Sequence, residues 1–202
     1  EQKMAALYHL VTNQERCNRE GITPVSHLLD EAGHINSLHH WQVFASRLCH
    51  HGYQAFPFSI GVGPDLHHSS RNIVSISQGG YYLLRDFYLN DDDDSRKILE
   101  AYKTYIVEIL TAAGYEKMRA ETMMRHVISV ETRMARVAYP MEKLREVEKN
   151  YHLTTWSQVK RDYPHIEWET FRKGIKFPEF TDVNVEQPEA LAEVDQIGRA
   201  HV

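Results

Sequence analysis

Apolar residues recur every three to four positions along most of this chain. Met4, Leu7, Tyr8 and Val11 form one stripe, so residues 1–20 read as a helix stopped by Gly21. Thr23 and Pro24 suit the N-cap and first position of a short helix reaching Glu31. After Ser37, Leu38, Trp41, Phe44, Ala45 and Leu48 share a face, with Gly52 placed to end the helix. The period then changes. Residues 55–62 are rich in strand formers but contain Pro57, which suits an edge strand, and residues 72–77 alternate as their partner. A small antiparallel hairpin is the expectation.

The helical period returns after the acidic run Asp91 to Asp94. Ile98, Tyr102, Tyr105, Ile106, Ile109 and Ala113 predict one buried face on a helix ending at Gly114. A second helix, from Glu116 to Ala138, places Ala120, Met123, Met124, Val127, Met134 and Val137 on one side and pairs Glu121 with Arg125 on another. Pro140 breaks it. Thr154 or Thr155 can cap a helix through Asp162, residues 167–173 form another, residues 182–185 read as a short strand, and Pro188 opens a last helix to Asp195. The predicted fold class is mainly α, a multi-helix domain with a small antiparallel β-hairpin.

Composition narrows the function classes. The chain has 202 residues, 23 Lys plus Arg against 28 Asp plus Glu, and 42% hydrophobic residues, which are globular proportions. A net charge of −5 leaves no basic footprint for nucleic acid. No stretch approaches the roughly 18 to 20 apolar residues of a membrane span, and a membrane anchor is left open by these residues. Cys17 and Cys49 are too few for a disulfide framework.

Thirteen histidines raise the question of a metal. Adjacent pairs at His39-His40, His50-His51 and His67-His68 point in different directions, and no histidine is followed by glutamate as HExxH requires. Ordinary surface histidines are the expectation, with no metal ligand and no catalytic residue in the chain. The four aspartates lack the glycine and closing glutamate of a calcium loop and read as helix-start chemistry. One residue breaks the apolar pattern. Glu131 falls between Val127 and Met134, where a carboxylate needs a partner, and Arg85 and Arg145 are the candidates for a structural ion pair.

Gln78-Gly79-Gly80, then Leu83, Leu84 and Arg85-Asp86-Phe87-Tyr88-Leu89, resembles the neprilysin and endothelin-converting-enzyme family of zinc metallopeptidases, in the N-terminal, non-catalytic domain of its bacterial-type members. The segments Val130 to Ala135, Leu144 to Tyr151, Pro164 to Trp168 and Val183 to Pro188 follow the family's order. Leu84 and Val147 stand where the family usually has proline, and His152 where it has asparagine. The resemblance implies an enclosing helical domain over residues 1–195, whose missing C-terminal catalytic domain would hold the zinc and cleave peptide substrates outside the cytoplasm. Metal-assisted hydrolysis, with a glutamate activating water, would be that domain's chemistry. Residues 196–202 resemble a translated sequencing adapter. The alternative is a helical peptide-binding or partner-binding module from a member without the zinc motif.

Overall fold

Helix-start chemistry sets many of the element boundaries. The computed structural model describes residues 2–199, with side chains through Ile197. Residues 1–20 are two helices, α1 (Gln2–Thr12) and α2 (Gln14–Glu20), rather than the one expected. Asn13 divides them, because its side chain accepts the Arg16 amide at 2.9 Å and so caps a new helix. The next expected helix starts later than Pro24: Thr23–Val25 is a 3-10 turn leading into α3 (Ser26–Gly33). Ser37 caps α4 (Leu38–His50) through the His40 amide, and the face α4 buries is Gln42, Ala45 and Ser46.

The expected hairpin forms, with β1 (Phe58–Pro64) beginning just after Pro57 and pairing with β2 (Asn72–Gln78). Helices α5 (Arg85–Leu89), α6 (Asp93–Ala112), α7 (Lys117–Val137) and α8 (Met141–Leu144) follow. Asp92 caps α6 by accepting the Asp94 and Ser95 amides, the role expected of the acidic run. After a 3-10 turn at Val147–Asn150 come β3 (Leu153–Thr155), α9 (Trp156–Asp162), α10 (Trp168–Gly174), β4 (Asp182–Val185) and α11 (Pro188–Arg199). Thr155, not Thr154, caps α9.

The hairpin is half of a larger sheet. Four strands run in the order β1-β2-β4-β3, with β4 parallel to β2 and antiparallel to β3. Its core face packs Phe58 and Ile76 against Trp156, Val159, Trp168 and Phe171. Phe171 meets both Phe56 and Phe58 edge-on, with centroids 4.6 and 5.2 Å apart. A buried amide chain completes the layer: Gln78 bridges the backbone of Tyr139, Gln187 accepts the Gln78 amide at 2.8 Å, and Gln187 donates to Asn150 at 2.6 Å. These bonds tie the sheet to the end of α7 without leaving polar groups unmade. Helix α10 meets α4 closely, since a Cβ on Gly174 would lie 2.0 Å from Ser46 Oγ.

The α6–α7 pair is the expected helical hairpin, but its apolar stripes are only partly covered. Ala120 and Met134 are buried, whereas Ile98, Tyr105, Ile109 and Val127 are exposed. The stripes are wider than the contact the two helices make with each other. The Glu121–Arg125 pair does not form; Arg125 donates to Thr122 at 2.7 Å. Helix α11 continues past Asp195, and Ile197 packs against the core, while residues 200–202 lie outside the described residues.

Candidate functional site

Glu131 sits where α5, α6 and α7 converge, and its charge meets no arginine. Tyr88 from α5 donates its hydroxyl to Oε2 at 2.8 Å, and Tyr102 from α6 donates to Oε1 at 3.1 Å. The Tyr88 oxygen in turn accepts the backbone amides of Tyr82 and Leu83 at 3.2 and 3.0 Å. One donated and two accepted bonds use the full capacity of a phenol. The arrangement therefore fixes residues 82–83, and with them the glycine-rich turn before α5, against the helical hairpin. Burial pushes the Glu131 carboxyl up and the two tyrosine hydroxyls hold it back. Burial, together with the neighbouring Glu131, raises both phenols.

The expected arginine partners are placed otherwise. Arg85 donates Nε to the Ala138 carbonyl at 3.0 Å, closing the C-terminus of α7, and pairs with Asp86 at 2.9 Å. Asp86 is itself largely exposed, and Arg145 is exposed just after α8. The sequence placed Glu131 in a partly buried position correctly but could not identify hydroxyl partners 43 and 29 residues away.

A second polar cluster was not foreseen at all. Asp65, whose side chain is fully buried, accepts Arg71 Nε at 2.8 Å, the His67 amide at 3.0 Å and the Tyr151 hydroxyl at 2.9 Å. Burial alone would raise its pKa, but the Arg71 bond and the other donors hold it down at about 2. Arg71 also reaches Asp182 at 2.9 Å, so the loop between β1 and β2 is pinned to the start of β4. The local Asp-x-His spacing was an available signal, because an aspartate commonly accepts the amide two residues on.

Among the described residues, no three His, Cys, Asp or Glu side chains are grouped to hold an ion. Two of the histidines pair with single carboxylates instead: His39 bonds Glu167 at 2.7 Å, and His165 bonds Asp195 at 2.8 Å. Cys17 and Cys49 are both free thiols. A zinc ion does not fit these residues. No described helix is long and apolar enough to cross a membrane.

Over most of its length the chain is similar to known proteins. Endothelin-converting enzyme 1 of Cavia porcellus is 28% identical over 200 residues, covering 93% of this chain and 26% of the relative. An endothelin-converting enzyme homolog of Locusta migratoria is 34% identical over 149 residues, 70% of this chain and 20% of the relative. This chain thus spans about a quarter of the curated relatives it matches. Among solved structures, the inhibitor complex of the Mycobacterium tuberculosis zinc metalloprotease Zmp1 superposes with a TM-score of 0.83 at 19% identity, over 93% of this chain and 29% of that one. PepO from Lactobacillus rhamnosis superposes at 0.73 and 18% identity, over 92% and 29%. The likeness to these structures is one of fold. The family model for peptidase family M13, in its N-terminal part, matches residues 1–201. The chain belongs to peptidase family M13, as its N-terminal domain.

Proposed function

We propose that this chain is one wall of a zinc metallopeptidase that cleaves peptides, with the zinc and the reacting groups on a C-terminal domain beyond these residues. The observation that supports it most directly is the coverage: the fold of a zinc metalloprotease accounts for 93% of this chain but only 29% of that protein. The remainder is where a metal centre belongs. In this reading residues 1–195 enclose a substrate chamber, work outside the cytoplasm, and admit peptides by size. Such a wall needs a fixed shape more than reactive side chains. Glu131 with its tyrosines and Asp65 with Arg71 supply that fixity at two places.

The test uses the full-length protein carrying this chain. A short fluorogenic peptide is cleaved, cleavage stops on chelation and returns with zinc, and a folded protein containing the same sequence is spared. If the zinc-supplied protein cleaves no peptide, the non-catalytic binding module is the correct reading instead. Cleavage of the folded protein as fast as the peptide removes the chamber from the proposal.

A further inference from the structure

Beside the α6–α7 pair lies a groove of about 420 Å³ whose charge is unlike that of the chain as a whole. Four cations line it, Lys103 from α6 and Arg125, Arg133 and Arg136 from α7, around an apolar floor of Met124 and Ile128. No carboxylate is among the lining residues. Two of the cations are compensated from outside, Lys103 by Glu100 at 2.7 Å and Arg133 by Glu193 at 2.7 Å. Among the described residues, Arg125 and Arg136 pair with no carboxylate, on a chain whose net charge is −5.

We propose that this groove binds an acidic segment of a peptide. Guanidinium groups match carboxylates through paired, planar bonds, and the hydroxyls of Ser129 and Thr132 on the same face can donate to the same oxygens. Spacing limits the occupant. Arg125 and Arg136 are eleven residues apart on α7, about 16 Å at about 1.5 Å per residue. An extended peptide rises about 3.3 Å per residue, so about five residues bridge the two arginines. The segment that fits carries an acid near each end and an apolar side chain between them, over Met124 and Ile128. A nucleic acid is the poorer match, because its affinity grows with the number of phosphates neutralised and only two cations here are uncompensated. The choice of a peptide as occupant rests on the peptidase reading above, and the groove would then favour acidic substrates.

Two fluorescein-labelled peptides test it, Glu-Ala-Leu-Ala-Ala-Glu and the same sequence with glutamine for glutamate. Binding is read by anisotropy on the full-length protein, with any zinc blocked by a small hydroxamate so that neither peptide is consumed. The acidic peptide is expected to bind more tightly, with the preference shrinking as salt rises. The double variant Arg125→Gln/Arg136→Gln, at an unchanged melting temperature, is expected to bind it about tenfold more weakly and to lose the preference. Equal binding of both peptides by the parent protein, or an undiminished preference in the variant, overturns the groove. Cleavage is measured separately without hydroxamate. Its absence would count against the peptidase reading and leave a measured charge preference intact.

Discussion

Two carboxylates in this domain, Asp65 fully buried and Glu131 partly buried, meet opposite electrostatic outcomes. Asp65 has a cation and two other donors, so its folded pKa of about 2 lies below the roughly 3.9 of an unfolded aspartate. Its contribution to stability is present above about pH 4 and is lost as pH falls through about 2. Glu131 has only neutral hydroxyl partners, and its folded pKa lies above the unfolded value. Its contribution is present below about pH 4.3 and is lost as pH rises through the folded pKa. The destabilisation caused by Asp65→Asn should therefore grow between pH 2 and 5, while that caused by Glu131→Gln should shrink with rising pH. Urea titrations of both variants at several pH values check this, and parallel slopes would refute it. The sequence showed a carboxylate in an apolar stripe at Glu131, but an arginine partner was the wrong expectation. Nothing local distinguishes a guanidinium from two phenols brought in by other helices.

At the level of elements, the turn between the sheet and α5 is a tightly constrained joint. Gly80 has φ of +83°, and a Cβ there would fall 2.6 Å from Pro57 Cβ and 2.9 Å from its Cα. Gly80→Ala should cost about 2 kcal/mol, from left-handed backbone strain and the clash together. Calorimetry of the variant should show a melting point several degrees lower, and an unchanged value would mean the turn relaxes freely. Helix caps in the acidic run and at Thr154 or Thr155 are legible from sequence, and Asp92 and Thr155 supply them, because each acts within three residues. Strand β3 was missed. Leu153 to Thr155 has too few residues to show alternation, and it is a strand only because β4 lies beside it. The stripe on α6 misled in the other direction, since periodicity reports an apolar face but not whether the chain itself covers it.

On the scale of the molecule, that uncovered surface is the main departure from an ordinary self-contained domain. Helix α1 exposes Met4, Leu7, Tyr8, Leu10 and Val11, each at least half accessible, and α6 adds Ile98, Tyr105 and Ile109. Patches of this kind favour association or a covering partner. Expressed by itself, the chain is expected to bind the dye ANS and to self-associate as its concentration rises. Weak dye binding with a monomer at all concentrations would show that these helices tolerate water. The interior is satisfied by contrast: no buried side-chain nitrogen or oxygen among the described residues lacks a partner. The tension is thus confined to the surface, where the proposed catalytic partner domain would have to lie.

The parallel pairing of β2 with β4 carries a kinetic consequence. Val74 meets Val183 across more than a hundred intervening residues, which include the whole α6–α7 pair. During synthesis the β1–β2 hairpin is complete long before its neighbour exists, so one edge of β2 stays bare while the helices form. Closing so long a loop is an entropic step that cannot be shared with local contacts. The sheet therefore cannot close until β4 has been made, and in the interval before it arrives the bare edge of β2 is open to wrong pairing.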